Sequence, residues 1–221
     1  MPKIEPFTVK DCALAAIATG ARAQNLRELH QRIGEADAGC FYYHFWGGLL
    51  RARFEDPEYR NDFAAWAAHG LRDPRLAERL GIIDPAAYPN LEELRHAVLE
   101  VIEERLDESE MVPWAKGDHQ FHFIRSQMVV FRTGDQVERT EALPAAVARM
   151  SPGSVFYHFV DARLRHESSL DDLCVWLEQF GHEFQDLRER LTAVDRSFVG
   201  LLELRERLTD LVHRRIGGPH P

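Results

Sequence analysis

Cysteine, excess positive charge and long apolar runs are all scarce in this sequence. The 221 residues include three cysteines and carry a formal net charge of −9. Cys12, Cys40 and Cys174 form no CxxC pair, so neither a disulfide framework nor a zinc site is indicated, and we expect small buried thiols. Nucleic-acid binding needs clustered Lys and Arg, whereas the arginines here alternate with acidic residues as on a solvated helix face.

The sequence also lacks the segments that would send it to a membrane or out of the cell. It has no run of 18 apolar residues, and its first residues, MPKIEPFTVKDC, contain no apolar signal region. We therefore expect a cytoplasmic protein, with neither nucleic acid nor a membrane as its partner. A composition of 45% hydrophobic and 29% charged residues is that of a globular chain with a sizeable core.

One unusual cluster occurs twice, as YYHF at 42–45 and FYHF at 156–159. At a constant offset of 114, residues 7–45 align without a gap to 121–159 with eight identities. Asp62 and Trp66 then align with Asp172 and Trp176. We interpret this as a tandem duplication, with a first repeat unit at 1–106, a linker at 107–120 and a second unit at 121–221.

Each unit is predicted to begin with an extended segment. FHFIRSQMVVFRTG is dense in strand-forming residues, and although FTVKDCALAAIATG is rich in Ala, the alignment requires the same structure of both. About five helices follow in each unit. A lone hairpin is marginal in water, so we expect the strands of both copies to meet. The predicted fold is α+β and predominantly helical, one compact pseudo-two-fold domain with a small shared sheet.

The third predicted helix of each unit carries a tryptophan, Trp66 or Trp176, on its apolar face, where we expect a core residue. In the second unit Ser169 and Asp172 form an S-x-x-D pattern, which predicts that the helix begins there.

The repeated histidines, His44 and His158, are the first candidate site residues. Imidazole can ligate a metal or transfer protons near neutral pH. Each can equally well satisfy a polar group within the helix packing. No HxxxH or HxxE pattern accompanies either residue, so we expect neither a metal nor a cofactor. The adjacent Tyr43 and Tyr157 offer hydroxyls and aromatic faces to a small polar ligand.

A polar break in the extended segments is the second candidate. Lys10-Asp11-Cys12 matches Arg125-Ser126-Gln127 as an interruption of apolar residues. Either Lys10 and Arg125 hold a polar or anionic ligand, with Cys12 made reactive by a nearby cation, or the break is a hairpin turn. The ligand interpretation predicts one crevice between the two YHF helices, with the histidines in its wall and Lys10 and Arg125 near its mouth.

Five segments together resemble a known family: FTVKDCALAAIATG, YYHFWGGLLR, NDFAAWA, VIEERLDESEMVPWA and FHFIRSQMVVF. They resemble an uncharacterised bacterial family of domains of unknown function with duplicated YHF-containing units, over about residues 7–216. The resemblance implies no activity and no catalytic residues. Similar single-copy modules are associated with proteins of carbohydrate metabolism.

These observations favour a non-enzymatic binding or regulatory protein, because no catalytic triad, P-loop or GxGxxG motif is present. Its partner would be an unknown protein or a small polar ligand, and the sequence leaves the oligomeric state open. The alternative is an enzyme, or a protein that binds a sugar-related ligand, with a polar site at the pseudo-two-fold interface.

Overall fold

The structure is a computed structural model that describes residues 4–50, 58–108, 116–166, 168–196 and 200–217. Residues 109–115 of the predicted linker lie outside these ranges. The fold is α+β and mostly helical, as predicted. In the described part of the chain, no helix has the length and apolar character to cross a membrane.

Two long strands each precede a series of helices. The elements are β1 (Phe7–Ala23), α1 (Leu26–Glu35), α2 (Ala38–Trp46), α3 (Asp62–His69), α4 (Pro74–Gly81), α5 (Leu91–Asp107), β2 (Phe121–Val137), α6 (Leu143–Ala148), α7 (Pro152–Val155), a π-helical turn (Phe156–Asp161), α8 (Ala162–Arg165), α9 (Asp172–Leu177), α10 (Gln185–Thr192) and α11 (Leu201–Ile216). Short 3-10 helices lie at Pro85–Ala87, Thr140–Ala142 and Glu178–Phe184.

The two strands pair with each other in one sheet. The Thr19 hydroxyl donates to the Phe123 carbonyl (2.7 Å), and the Thr133 hydroxyl donates to the Val9 carbonyl (2.9 Å). Early positions of β1 therefore face late positions of β2, which makes the pairing antiparallel. The predicted meeting of the strands is confirmed. A hairpin turn at Lys10–Cys12 is wrong, because β1 runs through these residues without a break.

The chain divides into two compact units that do not coincide with its sequence halves. Unit 1 consists of Met1–Ala13 and Met128–Pro221, and unit 2 of Leu14–Gln127. Both division points lie inside a strand. The first part of β1 thus belongs with helices α6–α11, and the first part of β2 belongs with helices α1–α5.

Unit 2 is built around α5, which packs against α1, α2 and α4, while α3 packs against α2 and α4. Its core contains the fully buried Phe41 and Phe63. The Arg95 guanidinium, 8% exposed, lies over the Phe41 ring and donates to the Ile33 carbonyl at the end of α1. The long Arg side chain thereby ties α1 to α5 with its charge satisfied by Glu92.

Unit 1 is built around α11, which packs against α6, α7 and α10. Its helix α9 begins at Asp172, and the N-cap is Asp171 rather than the predicted Ser169. One Asp171 oxygen accepts from the Cys174 amide, and the other accepts from the buried Arg196 guanidinium. Asp171 therefore caps the helix and neutralises a buried cation at once, a pairing with a residue distant in sequence that a local capping pattern does not reveal.

Candidate functional site

His158 in unit 1 is held through both ring nitrogens. Its Nδ1 lies 2.7 Å from an oxygen of Asp172, and its Nε2 accepts the backbone N–H of Lys10 at 2.9 Å. A ring nitrogen that accepts a hydrogen bond carries no proton, so the network assigns the neutral tautomer with hydrogen on Nδ1. The side chain is 2% exposed. His158 therefore satisfies a strand amide on the edge of β1.

His44 in unit 2 has the same arrangement with β2. Its Nδ1 lies 2.8 Å from Asp62, and its Nε2 accepts the Ile124 amide at 3.2 Å. Each imidazole also packs on the first residue of the strand whose amide it accepts, which is Phe7 in β1 and Phe121 in β2. The ring centroids are 4.9 Å apart for His158 and Phe7, and 4.7 Å apart for His44 and Phe121.

The tryptophans hold the chain two residues before each strand begins. Trp176 Nε1 donates to the Glu5 carbonyl at 2.7 Å, and Trp66 Nε1 donates to the His119 carbonyl at 2.9 Å. Both indoles are buried, at 5% and 4% exposure. The prediction that they are core residues is confirmed.

Two glycines allow a helix start to approach each strand closely. In unit 1 the Cys12 thiol donates to the Gly153 carbonyl, and in unit 2 the Ser126 hydroxyl donates to the Gly39 carbonyl. A Cβ added to Gly153 would lie 2.4 Å from the Cys12 carbonyl oxygen, and one added to Gly39 would lie 3.1 Å from that of Ser126. A side chain at Gly153 would overlap the strand backbone, and one at Gly39 would make a tighter contact than is usual, so both positions favour glycine.

The strand contacts correct the match between the two polar breaks. The amide of Lys10 and the amide of Ile124 play the same part in the two units. Lys10 therefore corresponds to Ile124, and Arg125 lies one residue later, where unit 1 has Asp11. Lys10 and Arg125 do not form the matched cationic pair that the sequence interpretation assumed.

The carboxylate of Asp172 is mostly covered. Besides His158, it meets His166 Nε2 at 2.7 Å and Arg165 Nη2 at 3.0 Å, and its side chain is 16% exposed. Burial raises the pKa of this carboxyl, but hydrogen bonds from His158 and His166 and the Arg165 charge outweigh it and hold the pKa at about 2.

This depressed pKa predicts a pH dependence of stability. An Asp that is more acidic in the folded state stabilises the fold above its ordinary pKa near 4, and the contribution disappears as pH falls towards 2. We expect the unfolding free energy of the wild type to exceed that of Asp172→Asn by about 2 kcal/mol at pH 7, because the pKa of this carboxyl is lowered by nearly two units. Urea midpoints from pH 7 to 3 should show the difference narrowing below pH 4; a constant difference would contradict the assignment.

A cavity of about 300 Å³ opens beside the corresponding carboxylate, Asp62, in unit 2. Asp62 is 38% exposed, more than twice the exposure of Asp172. The cavity is lined by aromatic rings, imidazoles and an amide, with α2 and α3 on one side and the start of β2 on the other: Tyr43, His44, Asp62, Ala65, Trp66, His69, His119, Gln120, Phe121, His122 and Ile124. We call it the Asp62 pocket.

The three cysteines are free thiols and all are buried, as predicted. Burial, with the negative charge of Asp161 and Asp11, raises the pKa of Cys12 to about 12. Burial likewise raises the pKa of Cys174 to about 12 and also raises that of Cys40. Because the thiolate is the reactive form, none of the three is suited to act as a nucleophile.

The six residues proposed from sequence fall into two groups. Unit 1 brings together Lys10, Tyr157 and His158, with the Lys10 ammonium 5.6 Å from the centre of the Tyr157 ring. Unit 2 contains Tyr43, His44 and Arg125, of which Tyr43 and His44 line the Asp62 pocket. The sequence interpretation missed both aspartates as histidine partners. The signal was present, because Asp62 and Asp172 align beside the tryptophans.

The fold and site define an α+β protein in which histidine–aspartate pairs hold strand edges. In the part of the chain that the structure describes, no group of three or more His, Cys, Asp or Glu side chains is placed to bind a metal ion. The chain belongs to a family of unknown function, DUF5752, whose model matches residues 4–213. The solved structure of OrfY from Thermoproteus tenax is similar, with a TM-score of 0.81, 28% identity and 97% of each chain covered. No curated protein matches the chain.

Proposed function

We propose that this protein is a cytosolic, non-enzymatic binding protein that holds a small polar ligand in the Asp62 pocket. The observation that carries the proposal is the difference between the two carboxylates. Arg165 and His166 cover Asp172 in unit 1, whereas Asp62 opens into a cavity with His69, His122 and Gln120 in its wall. Of the residues predicted from sequence, Tyr43 and His44 belong to this site.

The engagement of His44 and His158 argues against catalysis by these two residues. His44 and His158 each use both ring nitrogens within the fold, so neither has a lone pair to take a proton from a substrate. The buried, weakly acidic thiols offer no alternative nucleophile. Three free cysteines also agree with a reducing, cytosolic location.

A sugar-like ligand is the chemical class that the wall of the pocket suits best. A carboxylate and an amide accept and donate hydrogen bonds to hydroxyls, and the rings of Tyr43 and Phe121 provide an apolar face. A ligand of this class would leave Asp62 in place as the acceptor of the His44 proton.

Isosteric replacement of the two aspartates tests the site. Asp62→Asn keeps an oxygen for His44 but removes the charge from the pocket, and Asp172→Asn makes the matched change in unit 1. Melting curves against panels of mono- and disaccharides, nucleotides and amino acids should identify stabilising compounds, and calorimetry then gives their affinity. We expect Asp62→Asn to weaken binding at least tenfold, since a hydrogen bond to a charged group contributes about 1.5–3 kcal/mol, and Asp172→Asn to leave it unchanged. Equal losses in both variants would contradict this site, and turnover of a bound compound would contradict the non-enzymatic assignment.

We also propose that the chain arose by tandem duplication, with repeat units at 1–106 and 121–221 in a pseudo-two-fold arrangement. The support lies in reciprocal contacts. The strand partners of His158, Trp176, Gly153 and Thr133 are Lys10, Glu5, Cys12 and Val9. Those of His44, Trp66, Gly39 and Thr19 are Ile124, His119, Ser126 and Phe123, each 114 positions later. Such agreement is expected if both units descend from one ancestor that exchanged its strand between two copies.

A further inference from the structure

The wall of the Asp62 pocket carries a negative charge that its described neighbours leave unbalanced. Among the described residues that line the cavity, Asp62 is the one acid and none is Lys or Arg. The partner of its carboxylate in the described ranges is His44, which the Ile124 amide assigns to the neutral tautomer. Because buried rings such as Phe121 lie beside it, this carboxylate attracts positive charge more strongly than one in open water.

The corresponding carboxylate in unit 1 shows how a cation is held at this position. Arg165 Nη2 lies 3.0 Å from an oxygen of Asp172, and the Arg165 guanidinium lies over the Tyr157 ring, 4.1 Å from its centre. The charge of Arg165 is among the causes that keep Asp172 ionised. Asp62 and Asp172 bind their histidines in the same way, so a cation at Asp62 would complete an arrangement that unit 1 already contains.

We propose that the ligand of the Asp62 pocket carries an ammonium group, which makes it an amino sugar within the sugar-like class; this inference rests on the proposed function. The ammonium donates to the Asp62 carboxylate, as the Arg165 guanidinium does to Asp172. A hydrogen bond between two ionised groups is about twice as strong as one between neutral groups. Asp62 keeps its hydrogen bond to His44, because a carboxylate has lone pairs for both donors.

The rest of the wall also suits such a ligand. An ammonium has three donors and no acceptor, and each neutral imidazole offers one lone pair. His69, His119 and His122 place three further imidazoles in the wall, and the Gln120 amide can both accept and donate to sugar hydroxyls. A volume of about 300 Å³ is at the small end of the range for ligand pockets, so the pocket suits one sugar ring rather than a chain of them.

Three monosaccharides that differ at one substituent test the charge: glucosamine, N-acetylglucosamine and glucose. In calorimetry of the full chain at pH 7, we expect glucosamine to bind at least about tenfold more tightly than either uncharged sugar. Asp62→Asn should remove this preference, and Asp172→Asn, the matched change in unit 1, should keep it. Added KCl should weaken the binding of glucosamine and leave that of glucose unchanged, because salt screens charge pairs. The salt series needs no variant, so it tests the proposal even if Asp62→Asn fails to fold.

The ammonium and the pocket can fail separately in this experiment. If glucose or N-acetylglucosamine binds as tightly as glucosamine and Asp62→Asn weakens all three, the pocket is correct and the ammonium is wrong. If Asp62→Asn and Asp172→Asn weaken glucosamine binding equally, the pocket is wrong as well. The ammonium is also overturned if wild type binds no glucosamine at millimolar concentration, or if the preference for glucosamine survives Asp62→Asn or is insensitive to salt. Far-ultraviolet circular dichroism at the assay temperature shows that each variant is folded.

Discussion

Truncation of Trp176 to Ala is expected to cost about 3–5 kcal/mol of unfolding free energy, the range for large aromatic side chains in a core. The indole is 5% exposed, lies with its ring centroid 5.9 Å from that of Phe7, and donates to the Glu5 carbonyl. It therefore packs α9 against the start of β1. For a chain of this size the loss corresponds to a fall in melting temperature on the order of 10 °C.

Urea denaturation of Trp176→Ala, Trp176→Phe and Trp66→Ala separates packing from hydrogen bonding. The Phe variant keeps most of the buried area but loses one hydrogen bond. We expect the loss of that bond to lower the unfolding free energy by about 1 kcal/mol, in addition to the cost of the change in shape. Trp66 has the same contacts with Phe121 and His119 in unit 2 and should give a loss similar to that of Trp176. A Trp176→Ala protein that melts like wild type but fails to bind a ligand would mean that the indole is a binding surface.

Replacement of His158 by Ala is expected to lower the free energy of unfolding by about 3 kcal/mol. The change leaves a cavity and removes the acceptor of the Lys10 amide, and an unsatisfied buried donor alone costs about 1–3 kcal/mol. It also removes one of the hydrogen bonds that keep Asp172 ionised in a buried position. Urea midpoints at pH 7 measure the loss. Replacement of His96, an exposed residue of α5, by Ala is the control. A value within about 0.5 kcal/mol of wild type would contradict a structural role for the ring.

Much of the fold could be predicted from local sequence patterns and from the alignment of residues 7–45 with 121–159. The density of Val, Ile and Phe in residues 121–131 predicts β2, and the alignment transfers that prediction to the Ala-rich β1. Ala favours helix in isolation, but pairing with β2 decides the structure of β1, since strand preference depends on neighbouring strands. The apolar faces that carry Trp66 and Trp176 were predictable for the same reason, as their helices follow a regular period.

The partners across the chain could not be predicted, because an alignment shows which residues correspond but not which copy contacts which. Each half of the sequence contacts the strand of the other half, which places Lys10 beside His158 and Ile124 beside His44. A one-residue error in matching the polar breaks made Arg125 the counterpart of Lys10. Arg165 and His166 cover Asp172 and were not predicted to do so, and Asp62 is 38% exposed where Asp172 is 16% exposed.

A histidine of each half of the sequence holds a strand of the other half. Hydrogen exchange of backbone amides, followed by NMR in His158→Ala and His44→Ala, tests it most directly. His158→Ala should increase exchange at Lys10 and leave Ile124 protected, and His44→Ala should do the reverse. If His158→Ala instead exposes Ile124, or if Lys10 exchanges as fast in wild type as in the variant, the strand contacts described for the two units are wrong.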